Sequence, residues 1–377
     1  MLRICGVTFD HTTNYGSCLQ AYALKTAIEK ISIEGESYVY DLLPATILAS
    51  QRKASSRSVT AVAKRIIKSI AKKYRRAQFK SFEDKYIRYA DCHNREELPR
   101  LNGIYDAFVC GSDVIWNFGY TRGDTLYFLD FATKYKFSYA ASFGKGKLDF
   151  HEEGLELDED PKKIYERYIP QLDRVSVREK EAAEMLKEFV SKPVECACDP
   201  VLLLTQDEWT KVIPENIKRG KYIFAYSTST RPNYISFLKM IQKSTGLPVV
   251  NITWLPNDMV RQRAFTSVDP AKWLGLLKNA EYVVTNSFHG TAFSVLFEKK
   301  FFTVIQGDRQ TRSNIRLYDF LENLELDSRL INEMPSSLDF EAPDFTAAKD
   351  KLEKIRESSL KYLEENLIEA SHRKKGM

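Results

Sequence analysis

From Tyr222 onward the chain alternates short apolar runs (222–226, 247–252, 281–285 and 301–305) with helix-period segments near 233–243, 269–278 and 291–298. No other feature limits the fold as tightly. Runs of this length without polar alternation are the pattern of strands buried on both faces, and intervening helices make neighbouring strands parallel. The same rhythm is present earlier, with strand patterns at Leu2–Val7, Ser37–Leu42, Ile104–Cys110, Lys136–Phe143, Arg174–Val177 and Val194–Asp199. A helix is expected over Ser17–Lys30, where Ser17 and Gln20 have capping-box spacing. The segment 206–220, with Pro214 and Gly220, reads as the boundary between two units. The expectation is an α/β protein of two Rossmann-like domains facing a cleft, residues 1–213 and 214–335, with a tail and helix in 336–377. The charged amphipathic helix in that tail, 347–370, is expected to pack back across the boundary.

Among 377 residues, 44% are hydrophobic and 28% charged, which excludes disordered and fibrous classes. No apolar run approaches membrane-spanning length and no secretory h-region follows Met1, so a cytoplasmic protein is expected. Six scattered cysteines suit reduced, buried thiols. Cys196 and Cys198 are expected on one strand face, but without a second ligand pair no metal site is expected. Net charge is unevenly placed: residues 44–80 hold eleven Lys/Arg and no Asp/Glu, so removing +11 from the net +5 leaves the rest at −6. Within that stretch Val59, Val62, Ala63, Ile66, Ile67, Ile70 and Tyr74 recur at helical spacing. Lys64, Arg65, Lys68, Lys72, Lys73, Arg75 and Arg76 fall largely on the other faces. This basic amphipathic helix, near 58–80, has two readings: a core-packed helix with a solvated face, or a surface attracted to anionic lipid or a phosphate-bearing substrate. Nucleic acid is not expected, because no recognition motif accompanies the patch.

The stretch TNSFHGTAFSVLF, 285–297, places Asn286 to Gly290 between a strand and a helix expected to start at Thr291. In open α/β sheets such a turn is where ligands bind. It holds a histidine, a glycine allowing close approach, and a helix N-terminus that favours an anion. A capped turn with a structural histidine fits the same residues. Elsewhere, Gly111, Ser112 and Asp113 end a strand, and Asp113 suits a helix cap or a ligand contact. Arg178 follows another strand, and Arg309, Arg312 and Arg316 follow the last one. An arginine fork matches a carboxylate or phosphate, or a surface acid. Neither a GxGxxG nor a P-loop is present.

Six segments in order, NYGSCLQAYAL (14–24), GSDVIWN (111–117), KFSYAASFG (136–144), VSVRE (175–179), DPVLLL (199–204) and NSFHGTAFS (286–294), resemble the polysaccharide pyruvyl transferase family. The resemblance implies a GT-B-like fold and transfer of a pyruvyl group from phosphoenolpyruvate to a sugar hydroxyl pair, with phosphoenolpyruvate as co-substrate and no further cofactor. It implies Arg178 and the His289 turn as donor-binding elements. The catalytic groups expected are His289, as general acid or else as a cation on the phosphate, and Asp113, which would take a hydroxyl proton. Arg178, Arg312, Arg316, Asn286, Ser287 and Gly290 would bind the donor, and Asn14, Tyr15 and Ser112 the acceptor. Many family members carry an arginine two residues before the histidine, where this chain has Ser287. Capsular acceptors are often lipid-linked, which with the basic helix implies peripheral contact at the inner face of an anionic membrane. Two alternatives stay open: a nucleotide-sugar glycosyltransferase of the same architecture, and a non-catalytic sugar-binding or scaffold member of a biosynthetic complex.

Overall fold

The first sheet is built on β1 (Leu2–Val7), which pairs in parallel with β2 (Tyr38–Leu42) on one side and β3 (Ala107–Cys110) on the other. β4 (Tyr135–Ser138) follows β3, and the parallel pair β5 (Val175–Val177) and β6 (Val194–Cys196) joins β4 through bridges at Phe137–Arg174 and Ala141–Val177. The computed structural model describes residues 1–9, 13–33, 35–44, 47, 62–144, 157, 159–217, 220–228, 232–253, 267–305, 307 and 314–376.

The second sheet holds β7 (Ile223–Ser227), β8 (Val249–Thr253), β9 (Tyr282–Thr285), β10 (Lys300–Val304) and β11 (Leu330–Ile331), in the order β11-β10-β9-β7-β8, all parallel. Both sheets reverse their winding once, between β1 and β3 and between β7 and β9. A reversal leaves a crevice outside the carboxyl ends of the strands, because successive connecting helices go to opposite faces there. The α/β class, two Rossmann-like units and a long C-terminal helix are therefore present as expected.

One helix joins the units. α1 (Tyr15–Lys30) is buried at eleven of its positions, far more than a one-sided surface helix, because it is covered by its own sheet and by helices of the second unit. Asn14, not Ser17, caps it, its side chain accepting from Gly16 N at 2.9 Å. The expected Ser17/Gln20 capping box does not form: Ser17 Oγ donates to Asp113, and Gln20 donates to Thr8 Oγ1 and Ser17 O. α2 (Val62–Tyr86) lies against α1, and α3 (Pro270–Lys278) meets both. Tyr15 stacks on Trp273 of α3 at 5.1 Å and 14° and packs against Tyr226 and Phe79. Its hydroxyl donates to Val268 O and accepts from Val268 N, both at 3.0 Å. The apolar core consequently runs from the first sheet through α1 into the second.

α4 (Thr346–Lys375) returns to the first sheet. Tyr362 donates to Ser138 O, Tyr135 to Asn366 Oδ1, and Arg356 to Leu202 O, all between 2.8 and 2.9 Å. Five of the six cysteines are buried and Cys196 is exposed; β6 ends at Cys196, so Cys196 and Cys198 do not share a strand face as the sequence predicts.

Candidate active site

The two winding reversals meet at one contact. α5 (Phe288–Leu296) follows β9 and begins three residues earlier than expected, because Ser287 rather than a later residue caps it, accepting from Gly290 N. His289 is therefore in the first helical turn instead of a loop. It is 7% exposed, and its ring lies against the Gly16 backbone at the start of α1. A Cβ on Gly16 would stand 1.9 Å from His289 Nδ1, so only glycine lets the two elements approach this closely.

The other ring nitrogen faces Asp199. Nε2 is 3.4 Å from Asp199 Oδ2, an ion-pair distance without hydrogen-bond geometry; among the described residues Nε2 has no hydrogen-bond partner. Asp199 follows β6, accepts from Val201 N through Oδ1, and is fully buried. Burial alone would raise its pKa. The nearby His289 and Arg178 outweigh that and hold it well below the usual carboxylate range. The contact lacks hydrogen-bond geometry, so proximity of charge is the better physical account of the His289 contribution.

Arg178, at the end of β5, is occupied at all three nitrogens: Nη1 donates to Asp199 Oδ2 at 2.7 Å, Nη2 to Ser142 Oγ at 2.9 Å, and Nε to Glu179 Oε1 at 3.3 Å. Its guanidinium stacks over Phe288 at 4.9 Å. Burial works against its charge, but Glu179 and Asp199 raise its pKa overall. Arg178 thus orders the carboxylate beside His289, and three of its five N–H donors are used within the protein.

Arg316 differs. It is in the helix α6 (Asn314–Asn323), its Nε is buried with no hydrogen-bond partner among the described residues, and burial and Arg178 both lower its pKa. Arg178, Arg316, Asp199, Phe288, Phe320 and Lys354 line a cleft of about 440 Å³ between the units. Two guanidinium groups brought together in a cleft, one with an Nε that has no hydrogen-bond partner among the described residues, form an environment that an anion stabilises. Arg309 and Arg312 lie outside the described residues.

The remaining expected residues have structural contacts. Asp113 has φ 67° and accepts from Ser17 Oγ at 2.6 Å, which ties the β3 loop to α1 next to Gly16. Its Oδ1 accepts from Val114 N at 2.9 Å, while the next helical turn, Phe118–Thr121, is capped by Asn117. Ser112 is fully buried and donates to Ala140 O, and Tyr15 is fully buried as well. Neither offers surface to a sugar. Asn286 joins β9 to β7 through Ser227 Oγ and Thr228 N, and a Cβ on Gly290 would stand 2.4 Å from Thr285 Oγ1. Asn14 caps α1. Sequence reasoning missed Gly16 and Asp199. Both were in quoted motifs, NYGSC and DPVLLL, where the aspartate before a proline at a strand end was a usable signal.

These features define a two-domain α/β protein with a histidine–carboxylate pair and a basic cleft where two sheet reversals face each other. The family model for polysaccharide pyruvyl transferase matches residues 14–308, and the chain belongs to that family. No curated protein sequence matches the chain. Among solved structures it is similar to S. aureus MnaA with UDP (12% identity, TM-score 0.49, 97% of this chain and 91% of that one). It is similar also to a Methanocaldococcus jannaschii UDP-GlcNAc 2-epimerase complex with UDP-GlcNAc and UDP (12%, 0.48, 95% and 92%). A third likeness is to E. coli heptosyltransferase WaaC with ADP (14%, 0.40, 94% and 100%).

Proposed function

We propose that this protein transfers a pyruvyl group from phosphoenolpyruvate to two hydroxyls of one sugar, forming a ketal and releasing phosphate, during polysaccharide biosynthesis. The observation that carries this reading is His289 held between Gly16 and buried Asp199, beside a cleft with an unpartnered Arg316 nitrogen. Protonated His289, stabilised by Asp199, gives its proton to the donor methylene carbon, which becomes a methyl group as positive charge develops at C2. One sugar hydroxyl attacks C2, the C2–O bond to phosphate breaks, and the second hydroxyl completes the ketal. Of the two hydroxyl protons, one restores His289 and the other leaves with phosphate. The carbon oxidation levels balance, so the reaction needs no redox cofactor.

Arg316 takes an anionic group of the donor, with Arg312 as its sequence neighbour in the same role. These cations stand in for the arginine that many members carry where this chain has the cap Ser287. Arg178 acts through Asp199. Asp113, anchored by Ser17 close to Gly16, takes one hydroxyl proton and passes it to the departing phosphate, and the Asn14 turn borders the acceptor. Phosphate release that requires both phosphoenolpyruvate and a sugar, tested over free and lipid-linked acceptors, supports the reading. Turnover of a sugar nucleotide without that release overturns it in favour of a glycosyltransferase. His289→Ala is expected to lower turnover at least ~100-fold with the circular dichroism spectrum unchanged; unchanged turnover removes His289 from the chemistry.

A further inference from the structure

Of the large hydrophobic and aromatic side chains among the described residues, Tyr120 is the most exposed, at 71%. It is on the helical turn Phe118–Thr121, in which Phe118 and Thr121 are buried while Gly119 and Tyr120 are exposed. The turn itself is fixed. Asn117 caps it, accepting from Gly119 N at 3.0 Å, and donates to Phe143 O at 2.6 Å; Phe118 stacks on Tyr165 at 4.5 Å and 11°. Just before it, Trp116 N donates to Ser142 O. A turn anchored in this way, with its ring outward, holds an aromatic surface at a set position on a rigid scaffold.

That position borders the site. Ser142 N donates to Asp113 O, and Ser142 Oγ donates to Glu179 Oε1 and accepts from Arg178 Nη2. The Tyr120 turn, Asp113 and Glu179 are thus held to one segment, 142–143, as a single wall of the first unit. From the second unit Arg316 comes close enough to this wall for Asp113, Glu179 and Tyr120 all to act on its charge. Glu179 Oε2 is buried with no hydrogen-bond partner among the described residues, as is Arg316 Nε. Buried polar atoms left unpaired are costly, and a ligand bearing hydroxyls as well as an anionic group would pair both.

We propose that Tyr120 is the platform on which the acceptor sugar lies, with the C–H face of the sugar ring against the phenol ring and its hydroxyls turned toward Asp113 and Glu179. A sugar ring is amphipathic in this sense, and tyrosine matches it with an apolar body and a polar tip. The proposal rests on the sugar acceptor assigned above and adds a residue that selects it.

Saturation-transfer NMR of the full chain with a panel of methyl hexopyranosides tests the subsite, and phosphate release from phosphoenolpyruvate tests the reaction separately. Ring protons of at least one hexoside are expected to receive saturation. Tyr120→Ala should weaken that binding and raise the acceptor KM about five- to tenfold, with kcat and the phosphoenolpyruvate KM within about twofold. Tyr120→Phe and Tyr120→Trp should keep most of the binding. Because the ring is exposed, melting temperature should not move. Tyr74→Ala, which removes another exposed ring, should leave binding and turnover unchanged. Unaltered hexoside binding in Tyr120→Ala overturns the proposal even where phosphate is released, and so does an equal rise in both KM values. Failure of the natural chain to bind any hexoside, or Tyr120-dependent binding of uridine in their place, overturns it too. Hexoside binding that depends on Tyr120, without phosphate release, keeps the platform and overturns the reaction instead.

Discussion

Gly16 and His289 are 273 positions apart in the chain, yet the imidazole leaves no room for a side chain at position 16. Gly16→Ala would put a methyl group 1.9 Å from Nδ1, so the imidazole or the helix end must move. The expected cost is about 1–3 kcal/mol of stability together with at least a ~10-fold fall in turnover, because the acid is no longer aligned; urea unfolding and steady-state kinetics check both. Asp199 gives a pH dependence with a definite sign. Its folded pKa is depressed, so its contribution is complete above its unfolded pKa of about 4 and is lost as pH falls below that. Asp199→Asn should cost about 3–5 kcal/mol near neutrality, since it leaves the buried Arg178 and His289 short of a counter-charge. Unfolding measured across the acid range should fall less steeply for the variant than for the natural chain. An equal slope would mean that Asp199 is not ionised against these partners.

At the scale of elements, α1 is the connection on which the site depends, and Tyr15 is its anchor. Tyr15→Phe removes the partner of both Val268 N–H and Val268 C=O and should destabilise by about 1–3 kcal/mol; a thermal melt with no shift would show that the hydroxyl contributes nothing. Strand positions were legible because a run such as Tyr282–Thr285 has one solution, burial on both faces. Helix starts were not. Asn14 and Ser17, or Ser287 and Thr291, are all good caps, and the choice depends on a hydrogen bond made in three dimensions. The same limit applies to α2: periodicity revealed the apolar stripe but not that the helix packs by Arg75, Phe79 and Phe82 on another side. Of the site, His289 was legible from its place after a strand. The roles of Arg178 and Tyr15 were not, because charge or aromaticity in a motif does not say whether the group faces a ligand or its own neighbours.

Over the whole molecule, two parallel sheets turn their winding reversals toward each other and an apolar core continuous through α1 sets their relation. α4 closes the first sheet through Tyr362, Asn366 and Arg356, so shortening the chain before Thr346 should leave β4 uncovered and lower solubility on expression. No helix among the described residues is long and apolar enough to cross a membrane. The reading proposed for this protein is that the meeting point of the two sheets moves a pyruvyl group. Mass spectrometry of the sugar acceptor after incubation with phosphoenolpyruvate measures this most directly. An acid-labile pyruvyl increment is expected on the acceptor, with one phosphate released for each, and both are lost in His289→Ala. Phosphate released without any increment, or an increment undiminished in that variant, would contradict it.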